Sequence, residues 1–294
     1  LLQYPVAMCG IFRAGLVVVN VNPLYTAREL QHQLKDSGTK CIIILENFAH
    51  TLEAVISKTD VQHVVTTGVG DLLSWPKSTI SNFVLRHIKK AIPAFNISNS
   101  TSFNQALRLG AGKALDEVDI GFADIAYLQY TGGTTGVSKG AMLSHRNMIY
   151  NVQQTIVWQA DSYDDIEQVI AVTALPLYHI FAFTVNMMLG MRTGGKNILI
   201  PNPRDLPAVL KELSTQTFHS FPAVNTLFNG LANHPDFDTV NWKNLKVSVG
   251  GGMAVTSAVA ALWLQKTGCP ICEGYGLSET SPSASCNPTT STQF

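Results

Sequence analysis

Between positions 131 and 139 the chain gathers Thr131, Gly132, Gly133, Thr134, Thr135, Gly136 and Ser138 in front of a single cation, Lys139. Glycine has no Cβ, so its backbone can turn sharply and bring N–H groups close to a ligand. The hydroxyls add donors that rotate, and the lysine adds a full positive charge. Together these groups describe a cradle for a polyphosphate. Residues 125–130 ahead of it, IAYLQY, are apolar and aromatic, a buried strand by type and length. The same Gly/Thr composition also marks ordinary flexible turns. An ordinary turn, however, needs neither a buried strand before it nor a lone lysine after it.

The loop is not the common Gly-x4-Gly-Lys-Ser/Thr phosphate loop, because Lys139 follows Ser138 and precedes Gly140. A second short apolar run, 140–143, comes next. Ser144 can then cap a helix whose apolar side is Met148, Ile149 and Val152. The order is strand, loop, strand, helix. A second cluster lies downstream at 273–279, EGYGLSE. Tyr275 between Gly274 and Gly276 could lay a flat ring against a purine. Ser278 is a hydroxyl, and Glu279 is an oxygen donor suited to Mg²⁺, which takes one or two carboxylates plus phosphates and water. Read alone, this cluster is equally a surface turn with an incidental acid.

The first loop resembles that of the adenylate-forming enzymes, the acyl-CoA synthetase and luciferase superfamily, which reads roughly Tyr-Thr-Ser/Gly-Gly-Thr-Thr-Gly-x-x-Lys-Gly. EGYGLSE resembles the second signature of that family, Gly-Tyr-Gly-x-Thr-Glu, with Ser278 in place of Thr. LPLYHIFAF at 175–183 resembles its acyl-pocket segment. SVGGGMAV at 248–255 resembles its glycine turn, with Ala254 where proline is usual. GLVVVNVNPLYTARELQHQLKDSG, NFAHTLE, NPRDLP and VNTLFN are similar to long-chain fatty-acid CoA ligases of bacterial type, so the resemblance covers nearly the whole chain.

That resemblance implies activation of a long-chain fatty acid by ATP to an acyl-adenylate, then transfer to coenzyme A. The loop 131–139, with Lys139 in a catalytic role, would hold the β- and γ-phosphates, and Glu279 with Thr131 would hold Mg²⁺. Tyr275 would stack on adenine, with Gly251 and Gly252 passing close by, and Ser278 would touch the α-phosphate. His179, with Phe181, would stand near the acyl carbonyl as a second catalytic group. The resemblance also implies that the adenylation lysine and a ribose-binding aspartate lie beyond residue 294, on or before a C-terminal lid. The chain is therefore expected to be a piece of a longer protein and inactive alone. Two rival readings are a ligase for another carboxylic acid and a fragment that binds nucleotide without turnover.

The totals fit this picture. Twenty basic and twenty acidic residues cancel in 294, so no charge excess advertises nucleic acid. A hydrophobic content of 46% with 14% charge can bury a large core. Five cysteines is an odd number, with no secretory signal ahead of them, which fits a reducing cytoplasm. Cys269 and Cys272 form a C-x-x-C pair without the second pair a zinc site needs. The expected partners are the fatty acid, ATP and coenzyme A, with a homodimer and peripheral contact with the inner face of the cell membrane as further expectations.

The elements that must position these groups alternate. Strands are expected over 16–21, 40–45 and 61–67, with a helix opened by Thr26 and Glu29 and stopped by Gly38. After the loop, strands are expected at 169–175, 197–200, 218–221 and 245–249, and helices at 204–213, 225–232 and 256–265. This is an α/β pattern: two Rossmann-like lobes, 1–165 and 166–294, with mostly parallel sheets flanked by helices. Residues 71–119 read as a less regular connecting arm. Its 83–95 stretch reads as a packed surface helix, with a membrane-surface helix as the alternative. Residues 168–191 carry no formal charge, long enough to raise a membrane span. Pro176, His179, Thr184 and Asn186 favour a buried strand, a turn and a core helix instead.

Overall fold

The computed structural model describes residues 1–132 and 137–292. The chain divides into two compact units, Leu1–Met142 and Leu143–Phe294. The division falls earlier than the expected 165/166 boundary. The helix His145–Gln159 explains the difference, because it packs on elements of the second unit.

In the first unit β1 (Val18–Asn20), β5 (Ile125–Thr131) and β6 (Lys139–Ser144) form one sheet in the order β1-β5-β6. A second sheet joins β2 (Cys41–Leu45), β3 (His63–Thr67) and β4 (Thr101–Ser102), all parallel. The connecting arm is therefore not free of structure, since β4 completes this sheet. The helix in the arm runs Lys77–Phe83 and continues through a π-turn to Ile88, earlier than the 83–95 expected. Pro93 fits that earlier stop, because a residue before proline avoids helical angles. Between β1 and β2 the helix Ala27–Asp36 opens on the expected capping box, with the Thr26 N–H donating to Glu29 at 2.8 Å. Its Leu30 and Leu34 are buried in a core with Ile42, Leu52 and Val64.

The second unit is one six-stranded sheet in the order β12-β11-β10-β9-β7-β8. Its strands are β7 (Ile170–Thr173), β8 (Lys196–Leu199), β9 (Ser220–Ala223), β10 (Val247–Gly250), β11 (Ile271–Gly276) and β12 (Ser283–Cys286). All pairs are parallel except β11 with β12. Parallel neighbours need crossovers. The helices Asn225–Ala232 and Ser257–Thr267 serve β9→β10 and β10→β11. These helices bury an aromatic core in which Trp263 and Phe221 are fully covered, and Trp263 Nε1 donates to Ser248 Oγ at 3.0 Å. The uncharged 168–191 segment is β7, a turn, and helical pieces from Ile180 to Thr193. No helix among the described residues is long and apolar enough to cross a membrane.

Candidate functional site

In the first unit, β5 delivers Thr131 to its carboxyl end and β6 begins at Lys139. Gly133, Thr134, Thr135 and Gly136 lie outside the described residues. The two strands approach closely at the base of the loop, where a Cβ on Gly140 would come within 2.9 Å of the Tyr130 ring. Gly132 and Lys139 are exposed, and Lys139 makes no ion pair among the described residues. Ser138 Oγ is buried with no hydrogen-bond partner among them. A buried orphan hydroxyl is costly unless something else satisfies it. One cation and one orphan hydroxyl, Lys139 and Ser138, are donors suited to an oxyanion.

In the second unit, residues of the parallel strands β9, β10 and β11, with the turn after β7, line one cavity of about 390 Å³ toward the carboxyl edge of the sheet. Ligands in open α/β sheets characteristically bind at that edge. β7 leads to His179 and Phe181, β10 to Gly251 and Gly252, and β11 to Gly274, Tyr275 and Gly276. All of these line the cavity, and so does Ser278. Eight of the residues singled out in the sequence are thus brought together: His179, Phe181, Gly251, Gly252, Gly274, Tyr275, Gly276 and Ser278. Gly251 lies against Phe181, whose ring a Cβ there would meet at 3.1 Å, and Gly252 holds φ +78°. A side chain at either position would fill or strain the turn. The Tyr275 ring is 64% exposed, so its face is open to a planar ligand.

His179 caps a short helical turn, its Nδ1 accepting the Phe181 N–H at 3.3 Å. Desolvation of the ring lowers its pKa below the ordinary value, which favours the neutral imidazole. Glu279 is exposed on the turn after Tyr275, with no hydrogen bond or ion pair among the described residues, and it does not line the cavity. No cluster of three or more His, Cys, Asp or Glu side chains suited to a metal occurs among the described residues. A single free carboxylate remains compatible with Mg²⁺, whose other ligands are phosphate and water. All five cysteines are free thiols. Burial pushes Cys286 up to about 11 and Cys272 to about 12, so neither is poised as a thiolate.

Two residues given no role in the sequence brace the cavity walls. Asn151 is buried, and its Nδ2 donates to Ser283 O at 2.8 Å and Thr280 O at 3.3 Å. It fixes the turn that carries Ser278 and Glu279. The signal was present: Asn151 is a polar residue on the same helical face as Met148 and Val152, whereas Ile149 proves exposed. Glu273 accepts the Val255 N–H at 3.0 Å and braces the glycine turn, where the proline is replaced by Ala254.

The sequence profile of the AMP-binding enzyme family matches residues 1–293. A long-chain-fatty-acid–CoA ligase of Salmonella typhimurium is 51% identical over 288 residues, 98% of this chain and 51% of that protein. Its namesake from Haemophilus influenzae is 50% identical over 284 residues, 96% of this chain and 50% of that protein. The chain thus spans about half the length of the curated relatives it matches. An anthranilate CoA ligase solved with anthranoyl-AMP superposes with a TM-score of 0.80 over 97% of this chain and 50% of its own. Its identity is 21%, a likeness of fold. With the family profile matched almost from end to end and half the residues shared with these relatives, the chain belongs to the AMP-binding enzyme family.

Proposed function

We propose that this chain is the adenylate-forming part of an ATP-dependent long-chain fatty-acid CoA ligase. The observation that carries the reading is the cavity that sets Tyr275 and the glycine turn beside His179 and Phe181. Such a cavity can hold a purine and an acyl group side by side. In the reaction a carboxylate oxygen attacks the α-phosphorus of ATP and pyrophosphate leaves. The thiolate of coenzyme A then attacks the acyl carbonyl and AMP leaves. The first step joins two anions, so alignment and charge screening dominate it. Lys139 would supply screening, and Tyr275 and the glycine turn would supply alignment. Neutral His179 can donate through Nε2–H without adding charge.

Glu279 is the proposed holder of Mg²⁺, which would neutralise triphosphate charge when bound. A second cavity of about 170 Å³ shares Gln159, Val185, Leu189 and Ser220 with the first. That added depth favours an extended tail over a small acid. Pyrophosphate release by the intact protein, with Mg²⁺-ATP and acids of graded length, tests the reading. Release should rise with chain length, and release with aromatic or short acids alone would refute it.

We further propose peripheral contact with anionic lipid. Residues 72–115 hold no Asp or Glu but include Lys77, Arg86, Lys89, Lys90, Arg108 and Lys113. Beside these charges Trp75, Ile80, Phe83 and Ile88 are exposed.

A further inference from the structure

We propose that His32 and Asp36 are positioning residues that clamp the two flanks of the 131–139 loop from a single helix face. The inference rests on the reading of that loop as a triphosphate site. His32 and Asp36 stand four residues apart on the helix Ala27–Asp36, so they lie one above the other on the same face. Asp36 Oδ2 accepts the Tyr130 hydroxyl at 2.6 Å, one residue before Thr131. His32 Nε2 meets the Ser138 carbonyl at 2.9 Å, one residue before Lys139; because a carbonyl only accepts, the ring nitrogen donates. The entry and the exit of the loop are thereby tied to one rigid element.

That element is itself fixed. Leu30 and Leu34 are buried beneath it, and Gln33 Nε2 donates to the Asn20 carbonyl at 2.6 Å. Asn20 lies in β1, in register with Gln129 of β5. Helix, sheet and loop flanks therefore close into one hydrogen-bonded circuit within the first unit. Tyr130 is 7% exposed, and Gly140 lies close against its ring, so this one side chain touches both strands that flank the loop. Flanks held in place beforehand spare a bound anion the cost of ordering them, which is the contribution of the clamp.

The test uses the intact protein and reads the KM for ATP, kcat, the KM for fatty acid and the melting temperature. His32→Ala and Asp36→Ala should each raise the KM for ATP by roughly three- to tenfold, the range expected for one lost hydrogen bond. The values of kcat and of the KM for fatty acid should stay near their starting points, as for a loss of uniform binding. His32→Gln and Asp36→Asn keep a donor and an acceptor, and should recover most of the loss. Tyr130→Phe removes one hydroxyl and little else, so it keeps the test readable if an alanine variant folds poorly. It should match Asp36→Ala, and the double variant should be no worse than either. Lys139→Ala is the control. If it weakens ATP use while the clamp variants do not, the clamp is refuted and the phosphate loop stands. If Lys139→Ala also leaves ATP use unchanged, the reading of the loop fails with it. Equal losses for both substrates, without recovery by the conservative variants, would show a merely structural role.

Discussion

A free carboxylate and a partly desolvated imidazole make different demands at the residue scale. Glu279 has no internal partner, so its charge is available rather than committed to the fold. Glu279→Gln keeps shape and removes charge. Adenylation by the intact protein should fall about tenfold or more, the scale of a charge-assisted contact, with recovery at high Mg²⁺. Normal rates at low Mg²⁺ would refute the assignment. His179 makes a pH prediction. Its folded pKa lies below 6.5, so the native state binds the proton later than the unfolded chain does. Its effect on stability is absent well above 6.5 and becomes destabilising as pH falls through that value. Protonating Nδ1 must also break the contact with the Phe181 N–H. An NMR titration of this imidazole should give a midpoint under 6.5, and a midpoint above it would refute the desolvation of the ring.

Turns and the helices that brace them set the site at the element scale. Asn151 carries hydrogen bonds to the 280–283 turn, including acceptance of the Ser283 N–H at 3.3 Å. Asn151→Ala leaves those backbone groups unpaired, at about 1–3 kcal/mol for each buried group. Thermal unfolding should drop, and ATP use should weaken because Ser278 and Glu279 share that turn. An unchanged melting temperature would show that the bonds are replaced by water. Gly252→Ala meets no nearer neighbour than Val224, at 3.7 Å, so its effect is backbone strain at φ +78°, about 1–2 kcal/mol. Most of these elements were legible beforehand. The Thr26 and Ser144 caps, the helix Asn225–Ala232 and the β-branched strands carry local signals that tertiary packing did not override. The arm was harder to read. β4 is two residues long and exists only because β3 offers it an edge, which no local pattern reveals. Likewise His179, Tyr275 and the glycine turn were each visible in the sequence. Their convergence was not, because it depends on β10 and β11 being sheet neighbours while β7 is reached only across β9.

Across the whole molecule, charge and apolar exposure are unevenly spread. The chain is neutral overall, yet residues 72–115 carry only basic charge and expose Trp75 at 84%. Interfacial binding combines apolar insertion with attraction to anionic headgroups. Vesicles containing phosphatidylglycerol should bind the intact protein and shift Trp75 fluorescence to the blue. Phe83→Ser with Ile88→Ser should abolish the shift, and equal binding to neutral vesicles would remove the electrostatic part. The order of strands in the second sheet carries a different consequence, one for synthesis. β7 sits between β8 and β9, both of which follow it in the chain. From Thr173 the ribosome must add the chain as far as Ala223, roughly fifty residues and several seconds at about 5–20 residues per second, before β7 has both neighbours. Throughout that interval the charge-free 168–191 stretch is a sticky nascent segment, the place where a chaperone would be needed first.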